Sequence, residues 1–377
     1  MKARLIGSVM LACVGGGALA SGYSDFNAGI SAHNRGDWNE TLRRTTAALA
    51  APDLLRGFRF PALVDRGDAH AALHEWDLAA ADYSAALAQE PGSVDTLLRR
   101  AIALREGKHY PEAIADYSAV IRLRPRMTAG FEGRAAAYDQ AGDVDAAIAD
   151  YTLVIALDAS NADAFFFRGA LHLRHRDLDA AIADEGAAIA IDKKYVSAYF
   201  ERAQAYEDGG QYRDAIADDE DGLRLTPDDA NGRMQLGLAQ FSDGRFSDAA
   251  TTFAQMAQVR PAYRELWLAL SQARALVTWQ VGLSRGAERL DLTHWPGPVI
   301  RLFLNQSEPD EVMRAAEHGD AETRANQICE ANFYIGEWLI VKSQKKAAAS
   351  WMNDARDKCP INFVERDAAI AELARLE

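Results

Sequence analysis

The chain has 377 residues, 49% of them hydrophobic and 9% aromatic, with 41 basic against 55 acidic residues and a formal net charge of −14. An acidic balance of this size excludes the basic footprint that displaces counterions from nucleic acid, and leaves other proteins or peptides as the natural partners. The length alone would fit two or three compact domains, but a repeat array grows by addition and escapes that limit.

Residues 1–20 read as an export leader. Met1-Lys2-Ala3-Arg4 is a short basic start, Leu5 to Val14 is apolar, and Ala18-Leu19-Ala20 before Ser21 has the small-x-small form of a cleavage site. A lipid anchor at Cys13 is the competing reading, with Leu11-Ala12-Cys13 as a partial lipobox. Against it, the leucine stands one place too near the cysteine and the leader would be only twelve residues long. Either reading sends the protein to the periplasm, free after cleavage before Ser21 or held at the outer membrane through Cys13. No later apolar run reaches transmembrane length.

From residue 60 to 263 the chain keeps a period of 34. Alanine recurs at Ala79, Ala113, Ala147, Ala181, Ala215 and Ala249. A small residue stands twelve places earlier each time, at Gly67, Ala101, Ala135, Gly169, Ala203 and Gly237, and proline shares the period at Pro91, Pro125, Pro227 and Pro261. With proline counted as position 32, positions 8 and 20 are small and position 4 is bulky at Leu63, Leu97, Phe131, Phe165 and Tyr199. Small against large lets two antiparallel helices approach and interdigitate, and the proline stops the second helix so that the chain reverses.

This combination of phases resembles the tetratricopeptide repeat, a helix-turn-helix unit that stacks into a solenoid. The resemblance implies an all-α fold, a right-handed superhelix of α-α repeats, with six regular units over 60–263. A degenerate first unit at 22–59 makes seven over 21–263. It also implies a protein-binding role, because such solenoids bind other proteins far more often than they do chemistry.

After residue 263 the period falters. Arg264 to Leu270 begins a first helix with no matching second helix, and residues 264–324 read as an irregular helical connector containing Trp295-Pro296-Gly297-Pro298. Phase returns at Gly336, Ala348 and Pro360, which places a final repeat at 329–362 within a segment 325–377. Phe363 to Leu376 is then a helix that caps the exposed end. Cys329 and Cys359 occupy positions 1 and 31 of that repeat, the two adjoining ends of a hairpin. In an oxidising compartment this predicts a disulfide, two unrelated core cysteines being the alternative.

A charged ladder runs through the repeats. Position 7 is arginine at Arg66, Arg100, Arg134, Arg168 and Arg202, and position 23 is aspartate at Asp82, Asp116, Asp150, Asp184 and Asp218. In a hairpin turning near positions 14 and 15 these positions face one another, so the ladder reads as structural ion pairs. Both members are lost together at Leu236 and Thr252. Position 24 is aromatic at Tyr83, Tyr117, Tyr151 and Phe253, but carries Glu185 and Asp219 in two consecutive repeats. Those carboxylates are either locally hydrogen-bonded, Asp219 with Tyr199, or contacts for a partner.

A peptide groove is expected on the first helices, where position 5 gives Val64, Leu98, Glu132, Phe166, Phe200 and Met234. Charged edges come from positions 12 and 13, at Arg105, Glu106, Asp139, Arg174, Glu207 and Asp208, with burial of part of the stripe in the core as the alternative. His70 with His74, and His172 with His175, have helix-face spacing but no third ligand near in sequence, so no metal site, cofactor or catalytic constellation is expected.

The C-terminal stretches Arg264 to Leu270, Trp295 to Leu304, Ala331 to Trp338 and Asn362 to Arg366 resemble, in order and spacing, the NlpI family of bacterial envelope lipoproteins. That resemblance implies a non-enzymatic periplasmic adaptor that gathers peptidoglycan hydrolases and presents one to an envelope protease. The alternative is a structural assembly component of an envelope export or secretion machine. A homodimer is compatible with either.

Overall fold

A computed structural model describes residues 21–256, 261–361 and 363–376. The leader, Cys13 and Asn362 lie outside these residues. The described residues form an all-α solenoid of paired helices without strands, and the chain divides into two compact units, 1–159 and 160–377.

The first unit holds four helix pairs. They are α1 (Ser21–Asn34) with α2 (Trp38–Ala50), α3 (Arg56–Ala72) with α4 (Trp76–Leu87), α5 (Val94–Glu106) with α6 (Tyr110–Leu123), and α7 (Thr128–Ala141) with α8 (Val144–Leu157). Each helix packs on the next along the chain, as short connections require of antiparallel neighbours. Four extra residues ahead of the regular repeats lengthen α3 at its start, and this seats Phe58 on Tyr23 and Phe26, with ring centroids 5.1 and 5.2 Å apart.

The second unit continues with α9 (Ala162–Arg174) and α10 (Leu178–Ile191), α11 (Val196–Asp208) and α12 (Tyr212–Leu225), and α13 (Ala230–Ser242) and α14 (Phe246–Ala254). Then come α15 (Pro261–Arg274) and the short helices α16 (Gln280–Ala287), α17 (Gly297–Phe303) and α18 (Pro309–Ala316). The chain closes with α19 (Ala321–Val341), α20 (Lys345–Lys358) and α21 (Val364–Leu376).

Turn chemistry repeats with the period. Position 15 is left-handed throughout, at His74, Lys108, Gly142, Arg176, Gly210 and Gly244, with φ between 60° and 86°. Glycine takes this conformation freely and the other side chains at a cost. Asp143 and Asp177 cap the helices that follow by accepting the backbone N–H of Ala146 and Ala180.

Packing inside each pair differs in one respect from facing small residues at positions 8 and 20. The small residue at position 8 receives the side chain at position 24: a Cβ on Gly67 would lie 2.6 Å from the Tyr83 ring, and one on Gly237 2.6 Å from Phe253. Backbone approach and ring burial are thus one contact.

The C-terminal segment departs from expectation in three ways. A second helix does follow Arg264 to Leu270, in the form of the eight-residue α16 after a left-handed turn at Leu276. The helix of the final repeat starts at Ala321, well before Cys329. Finally, α21 does more than cap α19 and α20. It reaches back to α13, where Arg375 Nη1 donates to the Ser242 carbonyl at 2.7 Å, a tie across 133 residues of sequence. Beneath it lies the largest core cluster, built on Trp267, Phe253, Phe303, Phe333 and Tyr334. Among the described residues no helix is long and apolar enough to cross a membrane.

Candidate functional site

The arginine and aspartate ladder closes as five two-pronged pairs, in each of which guanidinium Nε and Nη2 donate to the two carboxylate oxygens. The distances are 2.8 and 2.5 Å for Arg66–Asp82, 2.7 and 2.6 Å for Arg100–Asp116, and 2.7 and 2.8 Å for Arg134–Asp150. In the second unit they are 2.7 and 2.6 Å for Arg168–Asp184 and 2.7 and 2.7 Å for Arg202–Asp218. The aspartates are buried, and charge-assisted forks of this geometry fix the angle between two helices. Where the pair is lost, Thr252 Oγ1 donates instead to Gln240 Oε1 at 2.7 Å, with Leu236 buried beside it.

The apolar stripe at position 5 does not form an open groove. Leu98 packs between α6 and the helices beside it, and Phe166 lies 4.9 Å from the Tyr195 ring. The Phe200 ring fills the space left by Gly222 on α12 and Gly232 on α13, where an added Cβ would stand 2.9 and 2.4 Å from it. Met234 packs on the C-terminal core. Glu132 is half-buried, as is Arg105, whose Nη2 donates to Glu106 at 2.7 Å. Position 5 points toward the following repeat, so these side chains join repeats rather than await a ligand.

Nor do the histidines gather. His74 sits in the left-handed turn beyond α3, and His70 is hydrogen-bonded to Glu75 at 2.6 Å. A different set, His33, Asp65 and Asp68, brings one ligand atom each within 4.8 Å. Asp68, however, already accepts from the Tyr83 hydroxyl at 2.7 Å and from Arg99 at 2.6 Å, and that guanidinium opposes a further cation. The cluster ties helices together in the first unit.

Cys329 and Cys359 are joined as a disulfide, with Cα atoms 4.8 Å apart, linking the middle of α19 to the C-cap of α20.

Glu185 and Asp219 are 1% and 0% exposed, and none of their carboxyl oxygens has a hydrogen-bond partner. The expected bond from Tyr199 to Asp219 is not made. That hydroxyl points to the Lys193 carbonyl, 3.4 Å away. Glu185 stands where other repeats place an aromatic ring, with Oε1 only 2.5 Å from a Cβ built on Gly169. Burial first, then the charges of Glu201 and Asp184, push its pKa up to about 9. Burial and then the neighbouring charges of Asp218 and Glu220 push Asp219 to about 8. Both are therefore neutral near pH 7.

A cavity of about 520 Å3 opens within the second unit, where α9, α11 and α13 meet α21. Three of the charged edge residues expected from positions 12 and 13 line it, Arg174, Glu207 and Asp208, together with Arg176, Tyr212 and Asp367. Arg176 is paired with Asp208. Glu207 Oε1 is closed off from solvent without a hydrogen-bond partner, and burial, then the charges of Asp219, Asp367 and Asp208, raise its pKa well above the usual carboxylate range. Burial, opposed by Arg366 and Arg176, sets Asp367 at about 6. The repeat phases locate the α9 and α11 walls, but the wall from α21 comes from a long-range docking that leaves no periodic trace.

Among solved structures, this chain is similar to that of MamA protein, at 23% identity over 46% of this chain and 96% of that one, with a TM-score of 0.43. It is also similar to a tetratricopeptide repeat protein from Parabacteroides merdae, at 14% identity over 83% of this chain and 98% of that one, TM-score 0.46. YrrB, described as a TPR protein with an unusual peptide-binding site, is 14% identical over 46% of this chain and 89% of its own, TM-score 0.41. The tetratricopeptide repeat family matches residues 64–127, 133–196 and 200–275. These segments cover more than half of the sequence and contain the phased alanines, the ladder and the cavity's first-helix walls, and the chain belongs to the tetratricopeptide repeat family.

Proposed function

We propose that this chain is an exported, non-enzymatic scaffold of the cell envelope that binds a segment of a partner protein in the cavity between α21 and the first helices of the second unit. The observation that carries the reading is that cavity, because its charged groups sit on α9 and the turn after it, on α11, and on a C-terminal helix held in place by Arg375. The leader-like start supports export, and the Cys329–Cys359 bond suits an oxidising compartment. The C-terminal likeness to the NlpI family supports peptidoglycan hydrolases or an envelope protease as partners.

Chemical cross-linking in cells, followed by mass spectrometry of the captured proteins and of the mature N-terminus, tests the reading. It expects envelope hydrolases or a protease, and a chain starting at Ser21 or at an acylated Cys13. Export-machine subunits as the captured set would favour a structural assembly role instead. An uncleaved chain without envelope partners would contradict both.

A further inference from the structure

The cavity carries more acid than it can pair. Arg176 is engaged by Asp208, which also accepts from Gln204 Nε2 at 2.9 Å, and the charge of Arg174 bears on Glu201. Two carboxyl groups remain, Glu207 on α11 and Asp367 on α21. Oε1 of Glu207 has neither solvent nor a hydrogen bond, and the contact from Arg366 to Asp367 is long at 3.5 Å. Apolar surface from Leu173, Leu238 and Val364 lies in the same cavity.

We infer that this cavity receives a lysine or arginine side chain from a partner's peptide, with its alkyl stem on Leu173, Leu238 and Val364 and its cationic head shared by Glu207 and Asp367. Amphipathic cationic side chains are built for this division between apolar stem and charged head, and desolvated carboxyl groups gain most from an ionic hydrogen bond. An apolar guest would leave Glu207 Oε1 unsatisfied, and an anionic guest would meet Asp208 as well. The inference rests on the scaffold reading above and specifies what the partner must present.

The charges around Glu207 give the site a pH signature. It faces Asp208 on its own helix, Arg174 and Arg176 from α9 and its turn, Tyr212 and Asp219 from α12, and Asp367 from α21. Without a ligand, burial and the three acids keep the Glu207 proton on. An arriving cation reverses that balance, so binding releases a proton and tightens as pH rises.

The test uses the full chain and two acetylated pentapeptides, one with a central lysine in alanine and one with norleucine in its place. Methyl NMR of Leu173, Leu238 and Val364 reports occupancy, and calorimetry in two buffers of different ionisation enthalpy counts protons. The expected result is saturable methyl shifts with the lysine peptide, proton release, and binding of the norleucine peptide weaker by about tenfold or more, the worth of one ionic hydrogen bond. Glu207→Gln abolishes the proton release and weakens the lysine peptide by a similar factor. Asp367→Asn, on a helix held by other contacts, is the second variant should the first disturb packing. Equal binding of the two peptides, lysine affinity unchanged in both variants, or tighter binding of spermidine than of the peptide would overturn the inference. Partner capture in cells that ignores both variants would also overturn it while leaving the scaffold reading in place.

Discussion

Arg134 holds Asp150 through two parallel hydrogen bonds of 2.7 and 2.8 Å, and its remaining nitrogen reaches Ser118 of the preceding helix pair at 2.9 Å. Each such arginine of the first unit fixes the angle within its own pair, and Arg100 and Arg134 also tie theirs to the repeat before. Asp150 is 3% exposed, so removing the guanidinium strands a buried carboxylate. Arg134→Met and Asp150→Asn are each expected to cost about 3–5 kcal/mol. The double variant should cost less than their sum by about 1–3 kcal/mol in a urea-denaturation cycle. Strict additivity would show that the two side chains do not act as a pair.

The bond between Cys329 and Cys359 closes a loop of separation 30 around the hairpin of α19 and α20. Loop-closure entropy puts its contribution at about 2–4 kcal/mol. Reductant should therefore lower the melting temperature of the wild-type chain and leave the Cys329→Ser, Cys359→Ser double variant unaffected. Two alkylatable thiols in unreduced, exported protein would contradict the pairing.

Glu185 and Asp219 make stability depend on pH in a direction opposite to that of salt-bridged acids. Their carboxyl groups titrate near 4.5 and 3.8 when unperturbed, and at about 9 and about 8 in the fold. The folded chain thus holds more protons across that window, and stability falls as pH rises through it, by up to about 1.4 kcal/mol per pH unit for each group. Urea midpoints should be lower at pH 9 than at pH 6. Glu185→Gln and Asp219→Asn should each flatten the decline and raise the midpoint at pH 9. A midpoint that climbs between pH 6 and pH 9 would mean that these groups are solvated or paired.

Gly133 illustrates what a period alone conceals. It sits beside the phased positions, yet a Cβ there would stand 2.2 Å from the ring of Tyr117, which belongs to the preceding repeat and is 1% exposed. Gly133→Ala is expected to destabilise by about 1–3 kcal/mol through overpacking, against little change for Gly142→Asn in the left-handed turn nearby, where nothing stands within 4 Å of an added Cβ. Equal effects in thermal melts would refute the contact.

The ladder was legible in the sequence because both members repeat with the helices and vanish together, at Leu236 and Thr252. Contacts between one repeat and the next carry no such mark, which is why Phe200 reads as a groove residue although it fills the space over Gly222 and Gly232. The cavity was half legible. Arg174, Glu207 and Asp208 lie on phased helices, whereas Asp367 reaches it only because Arg375 docks α21 on Ser242 and because Arg274 pairs with Glu337 and Glu372 at 3.1 and 2.7 Å. Such docking depends on side-chain complementarity across distant segments, which periodicity cannot encode.

The most direct test of the central claim places a photo-crosslinking amino acid at Tyr212, which lines the cavity, and for comparison at Leu78, an exposed residue on α4 of the first unit. Irradiation of living cells should trap the same discrete partner through position 212 and not through position 78, and the adduct should weaken when Asp367 is replaced by lysine. Adducts of equal yield from both positions, or none from position 212 while chemical cross-linking still captures the partner, would contradict the assignment of the cavity as the binding site.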